Sequence, residues 1–152
     1  MNDAASDTRD IVVEEVFAHA PETIWKTLTT GELIGRWLMV PTGFEPVKGT
    51  RFTFQTKPSG AWDGVIHCQV LEVIPNERFV YSWKSGHEGN IGYGSLLETL
   101  VTWTLARAAN GTRLRLVHAG FVVPRNESAL ETMGGGWKKV VPSLGAIADE
   151  QA

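Results

Sequence analysis

Asn110-Gly111 sits between two runs in which apolar and polar residues alternate, and this hairpin signal constrains the fold more than any other feature of the chain. A two-residue loop at that dipeptide predicts that Ala109 faces Thr112. The pairs then continue inward: Leu105 with Leu116, Trp103 with His118, Val101 with Gly120. One face carries Val101, Trp103, Leu105, Leu114, Leu116 and His118, and the other Thr102, Thr104, Ala106, Arg113, Arg115 and Val117. Only the first suits an interior, so His118 is expected on an apolar face beside an indole.

The same reasoning extends upstream. Trp62 to Ile74 and Phe79 to Trp83 read as strands flanking Pro75-Asn76-Glu77, which is good turn chemistry. A two-residue loop there groups Phe79, Tyr81 and Trp83 with Ile66, Cys68 and Val70, and sends His67, Gln69, Ser82 and Lys84 to solvent. A three-residue loop would flip that assignment. Thr50 to Thr56 alternates Phe52 and Phe54 with polar residues, another half-buried strand. The first strand is expected over Ile11 to Phe17. Two short helices follow, one opened by Pro21 and carrying Ile24, Trp25 and Leu28, the other over Glu32 to Leu38, with Gly31 between them. Asn126 to Gln151 reads as a long helix, capped by Asn126 or Ser128, with Leu130, Met133, Trp137, Val141, Leu144 and Ala148 on one face. Pro142 is expected to kink it, and Gly134-Gly135-Gly136 weakens its middle. Either the helix is interrupted there, or something approaches its backbone closely.

Composition narrows the function classes. With 43% hydrophobic and 20% charged residues, the 152-residue chain is globular and not intrinsically disordered. A net charge of -3 and the lack of any basic run argue against nucleic acid or an anionic membrane as partner. No apolar run reaches the ~20 residues of a membrane span, and the polar start MNDAASDTRD does not read as a signal peptide. One cysteine, Cys68, excludes a disulfide framework and fits a reducing cytoplasm. Residues 1–10 are expected to be a flexible tail and 11–151 a single domain. The four histidines, 19, 67, 87 and 118, show no metal-ligand spacing, and neither a metal nor a cofactor is expected. There is no G-x-S-x-G, H-E-x-x-H or Walker sequence. The run Gly89-Asn90-Ile91-Gly92-Tyr93-Gly94 fails as a dinucleotide fingerprint and reads as a mobile loop.

The element order is strand, two short helices, about five antiparallel strands and a long helix. This α+β arrangement resembles the helix-grip fold of the START-like, or SRPBCC, superfamily. Motifs in order narrow the resemblance: Ala20-Pro21-Glu22-Thr23-Ile24-Trp25, Glu32-Leu33-Ile34-Gly35-Arg36-Trp37, Leu71-Glu72-Val73-Ile74-Pro75 leading to Tyr81-Ser82-Trp83, Gly111-Thr112-Arg113-Leu114, His118-Ala119-Gly120-Phe121 and Gly136-Trp137. Together, over Ile11 to Ala148, they resemble the family related to the C-terminal domain of the activator of heat-shock-protein-90 ATPase. The resemblance implies a curved sheet of about six strands wrapped around the long helix, with a cavity between them that often holds a hydrophobic small molecule.

The residues expected to line such a cavity are Phe52, Phe54, Trp62, Ile66, Cys68, Tyr81, Trp83, Trp103, His118, Met133 and Trp137. No catalytic residue is assigned. His118 can be a ligand-orienting group or a core histidine bonded to a carbonyl or water. Glu72 is expected to pair with Arg78. Binding of a small hydrophobic or amphipathic molecule is the leading reading. A cyclase- or hydratase-like enzyme, with His118 and Tyr81 transferring protons, is one alternative. A co-chaperone-like interaction module is the other, and a chaperone ranks behind a small ligand as partner.

Overall fold

The computed structural model describes residues 7–151. In chain order its elements are β1 (Thr8–Phe17), α1 (Pro21–Thr29), α2 (Gly31–Trp37), β2 (Arg51–Gln55), β3 (Val65–Ile74), β4 (Arg78–Ser85), β5 (Leu97–Ala108), β6 (Gly111–Val122) and α3 (Glu127–Gln151). The strands form one antiparallel sheet in the order β1-β6-β5-β4-β3-β2. α3 packs on β1 and β6, and α1 and α2 pack against α3. This is the helix-grip architecture, a curved sheet gripping one long helix. Of the tail expected over residues 1–10, residues 1–6 lie outside the described residues. Thr8, Arg9 and Asp10 belong to β1, where they pair with Val122, Phe121 and Ala119 across a register shift.

Local chemistry sets the helix boundaries. Ala20 enters α1 in an extended conformation, and Pro21 takes the first helical position, where no amide hydrogen is needed. The hydroxyls of Thr27, Thr29 and Thr30 donate to the carbonyls of Thr23, Trp25 and Lys26, four residues back, at 2.9, 2.7 and 2.6 Å. Such bonds compete with helix continuation, and Thr30 leaves the helix with φ −107° and ψ 118°. The break therefore falls at a threonine, and Gly31, expected to be the separator, is the first residue of α2.

The two hairpins keep the expected faces by routes the sequence does not announce. In the second, Ala108 pairs with Gly111, Leu105 with Leu114 and Trp103 with Leu116, so the loop is Ala109-Asn110 and Trp103 does not face His118. Val101 faces His118 instead. Gly111 is needed for contact and not for turn geometry, because a Cβ there would run into the Phe17 carbonyl at the end of β1. The slip moves every pair by two positions in total, so side-chain parity survives. Val101, Trp103, Leu105, Leu114, Leu116 and His118 are all buried. In the first hairpin Ile74 pairs with Arg78 around a three-residue loop, which alone would flip the faces. A bulge between Val70 and Glu72 flips them back, so Val70 meets Tyr81 and Cys68 meets Trp83. Glu72 pairs with Arg78 at 2.5 Å, as expected.

α3 is one helix of 25 residues that runs through both Gly134-Gly135-Gly136 and Pro142. Pro142 and Lys138, whose carbonyl loses its usual partner, are both exposed, so water can take that bond. Nothing approaches the triplet closely: a Cβ at Gly135 or Gly136 would meet nothing within 4 Å. The close approach is at Gly145, where a Cβ would run into the Phe17 ring. Two opposite outcomes follow. Gly145→Ala should destabilise by about 1–3 kcal/mol through overpacking. Gly135→Ala, exposed and unobstructed, should stabilise by roughly 0.5–1 kcal/mol through helix propensity. Urea midpoints at unchanged m-value test both, and a stabilised Gly145→Ala would remove the close-packing argument.

Candidate functional site

Between α3 and the far half of the sheet lies a cavity of about 170 Å³. α3 supplies one wall through Ala129, Met133, Gly136, Trp137 and Val140, positions spaced as one helix face. The void exists because two of these, Ala129 and Gly136, bring almost no side chain. Ile66 on β3 and Trp83 on β4 form the sheet side, and Leu38 and Met39, just beyond α2, close one end. Trp62 enters from the loop before β3, held by its Nε1–H donating to the Val65 carbonyl at 2.9 Å. It had been expected inside a strand. Tyr93, Gly94 and Ser95 form the mouth.

The mouth loop is tied down by amide chemistry. Asn90 donates from Nδ2 to the carbonyls of Ser59 and Gly94 at 2.7 and 3.0 Å, and its Oδ1 accepts from the Ala61 amide at 2.9 Å. Its glycines serve turns and close approaches, as at Gly86 (φ 80°) and Gly94 (φ 87°). At the other end, buried Asn126 donates to Ser95 Oγ and the Leu96 carbonyl, both at 2.9 Å, and accepts from the Val122 amide at 2.9 Å. Asn126 thus pins the start of α3 to the mouth. Its side chain spans elements and does not cap the helix amides in the way its position suggests.

Of the expected lining residues, Trp62, Ile66, Trp83, Met133 and Trp137 surround the cavity. Phe52, Phe54 and Tyr81 instead border a sliver of about 10 Å³ packed under α2. Cys68 is buried in the sheet, its thiol pushed up by desolvation and so kept protonated and inert. Trp103 and His118 are fully buried and line neither space, since Trp137 lies across both, with ring centroids 5.6 and 6.0 Å away. The expectation that the cavity faces Trp103 and His118 is therefore corrected: the Trp137 indole fills that place, and the void is displaced towards Trp83. Leu38, Met39, Tyr93, Ser95, Ala129 and Val140 were missed. Ala129 and Val140 were legible from helical spacing, but nothing in the sequence marks Leu38 or Met39.

His118 sits in a fully determined chain of bonds. An indole N–H can only donate, so Trp137 Nε1 donating to His118 Nδ1 at 3.0 Å fixes the other nitrogen as Nε2–H. That hydrogen goes to Thr99 Oγ1 at 2.8 Å, and Thr99 donates to the Trp83 carbonyl at 2.9 Å. Burial lowers the pKa of His118 to about 3, so the ring is neutral. Tyr81 Oη accepts from Trp103 Nε1 at 3.2 Å, and burial pushes its pKa up. The cavity lining contains, among the described residues, no carboxylate, Lys, Arg, His or Cys. Among the described residues no group of three His, Cys, Asp or Glu side chains is placed to hold a metal ion, and no helix is long and apolar enough to cross a membrane. The arrangement can enclose an apolar body. It offers no acid–base pair.

A family model described as Activator of Hsp90 ATPase homolog 1-like protein matches residues 18–149. The human protein named Activator of 90 kDa heat shock protein ATPase homolog 1 is 24% identical over 134 residues, 87% of this chain and 34% of that protein. The chain thus spans about a third of that relative's length. The crystal structure of a Mesorhizobium loti protein aligns with TM-score 0.81 at 35% identity, covering 95% of this chain and 99% of that one. CalU16 from Micromonospora echinospora aligns with TM-score 0.71 at 24% identity, covering 93% of this chain and 76% of that one, and shares the fold.

Proposed function

This chain belongs to the family of Activator of Hsp90 ATPase homolog 1-like proteins, and from that premise and the shape of its cavity we propose that it binds a small apolar or amphipathic molecule between α3 and the sheet. The observation that carries this reading is a void of about 170 Å³ lined by Trp62, Trp83, Trp137 and aliphatic side chains. Apolar cavities near 150 Å³ stay dry and take up benzene-sized molecules. Pockets for drug-sized ligands begin near 300 Å³. The cavity therefore suits one ring or two fused rings, with any longer portion leaving past Tyr93.

Indane is a suitable probe. Its binding is read by calorimetric titration, and at about 100 times its dissociation constant it should add roughly 2.7 kcal/mol, or about 5–10 °C in Tm. Gly136→Leu places a side chain in the void and should abolish binding. Its fold should hold, because leucine is the better helix former by about 0.8–1 kcal/mol. Gly135→Leu is the control: that position is exposed, and the variant should bind normally. Undiminished binding by Gly136→Leu would remove the cavity reading.

The name of the human relative motivates a second reading, stimulation of a chaperone ATPase. Such a module needs a contiguous docking face. Among the described residues, the exposed large apolar side chains on the sheet are dispersed: Val12 and Val16 on β1, Leu100 on β5, Leu71 and Ile74 on β3. No two of those strands are neighbours. A flat ATPase titration at high micromolar concentration is the expected result, and a clear stimulation would reverse the order of the readings. The enzyme alternative has less support, since His118 and Tyr81 bond to different partners and neither borders the cavity.

A further inference from the structure

The inward positions of β4 carry aromatics at Phe79, Tyr81 and Trp83, and a serine at the last, Ser85. Ser85 is 6% exposed, stands opposite buried Leu97 on β5, and borders the cavity. Among the described residues nothing in the protein pairs with its hydroxyl. The other hydroxyls of the lining are placed differently. Ser95 donates to the Arg125 carbonyl and accepts from Asn126. Thr56 is half-buried and Tyr93 exposed, so bulk water reaches both. Trp83 Nε1 also lacks a partner, but it is sealed off where no molecule in the cavity can touch it. The Ser85 hydroxyl is unpaired and not sealed. A buried hydroxyl without a partner is costly, and small-molecule sites orient their ligands through just a few such groups.

We propose that the Ser85 hydroxyl orients the occupant of the cavity, an uncharged and mostly apolar ring compound carrying one carbonyl or hydroxyl oxygen. The proposal rests on the binding reading above and names the ligand chemistry. Polarity in the lining is segregated. Thr56, Ser85, Tyr93 and Ser95 come from the sheet side and the mouth, whereas the wall supplied by α3 has one side-chain N–H, that of Trp137, already given to His118. The ring's apolar edge therefore faces α3, and its oxygen faces the end of β4. A serine hydroxyl donates to a carbonyl, and with a second hydroxyl it can donate or accept. A pure hydrocarbon would leave it buried and unpaired. Among the described residues the lining has no charged side chain to offset a buried ion, so the ligand's polar group is neutral.

The test titrates indane and 1-indanone, the same fused ring with one carbonyl oxygen added, into the wild-type protein and Ser85→Ala by calorimetry. The quantity read is the ratio of the two affinities in each protein. Comparing ratios cancels what the variant does to ring packing and what the ketone loses on leaving water. The preference for 1-indanone should be roughly five- to tenfold greater in the wild-type protein, the worth of one neutral hydrogen bond. A second readout begins with the wild-type protein alone. The carbonyl infrared band of bound 1-indanone should lie below its frequency in hexane, because accepting a hydrogen bond weakens the C=O bond, and should return towards it in Ser85→Ala. If both probes bind and the two ratios agree within about twofold, or the wild-type band stands at its hexane frequency, the Ser85 proposal is overturned while the binding reading stands. If neither probe binds the wild-type protein, the binding reading falls and the proposal with it.

Discussion

Replacing Trp137 with alanine is expected to remove about 3–5 kcal/mol of folding stability, a large share of what a domain of this size holds. The side chain is 3% exposed. It meets Trp103 at 5.6 Å, Trp83 at 5.9 Å and His118 at 6.0 Å between ring centroids, so it joins α3 to three strands of the sheet. Truncation opens a void next to one that already exists, and the two together are harder to collapse. It also leaves the Nδ1 acceptor of His118 without its donor. Trp137→Phe separates the terms: most of the packing stays, the hydrogen bond goes, and the loss should fall to roughly 1–3 kcal/mol. Urea unfolding with unchanged m-value reads both. A loss under 1 kcal/mol for the alanine variant would show that Trp137 is not the joint between helix and sheet.

The ease with which parts of this fold can be read from the chain has a physical basis. Which face of a strand is inside depends on parity alone, and parity survives a slip of two. Ala108 pairing with Gly111, where Ala109 was expected to pair with Thr112, therefore changes every partner and no face. At the first hairpin the three-residue loop and the bulge at Leu71 are two parity changes that cancel. The inward grouping of Tyr81 and Trp83 with Cys68 and Val70 holds there only because of a bulge that nothing in the sequence signals. Helix periodicity likewise finds the inner face of α3, but not how far along the sheet each residue lands. Of the glycine triplet, which the sequence marks as a weak point of α3, only Gly136 faces the cavity. Gly135 is exposed, because adjacent helical positions differ by about 100° in direction.

The cavity's position was the least legible feature. Trp103 and His118 were placed on the correct face, and a face is all that register can specify. Whether a facing residue meets a void or a side chain depends on the helix above it. The residue directly after the triplet is Trp137, whose indole covers that spot. Leu38 and Met39 reach the cavity through the packing of α2 against α3, a long-range relation with no local pattern. Tyr93 and Ser95 arrive through the Asn90 and Asn126 side-chain bonds.

Acid should destabilise this protein through His118 well before its carboxylates titrate. In the fold His118 is neutral, with its pKa depressed to about 3 from the ordinary histidine value of about 6.5 because burial disfavours the charged ring. The unfolded chain binds a proton at this site below about pH 6.5, and the folded protein does not. The unfolded state therefore holds more protons across that interval, and stability falls as pH falls. The contribution is intact above about pH 6.5, declines by about 1.4 kcal/mol per pH unit, and levels off near pH 3. Between pH 7.5 and 5 the wild-type protein should lose roughly 2 kcal/mol from this group, a range in which ordinary carboxylates stay ionised. His118→Gln supplies the comparison. Its amide oxygen can accept from Trp137 and its NH₂ can donate to Thr99, so it preserves both bonds without a titrating group. The variant should be somewhat less stable at pH 7.5 and nearly flat down to pH 5, where the two unfolding free energies converge. The remaining histidines are common to both proteins and cancel in the difference. Parallel pH profiles for the two proteins would mean that His118 is protonated in the folded state. A protonated ring has no lone pair to accept from the Trp137 indole, so the bond that ties α3 to β6 would be lost with it.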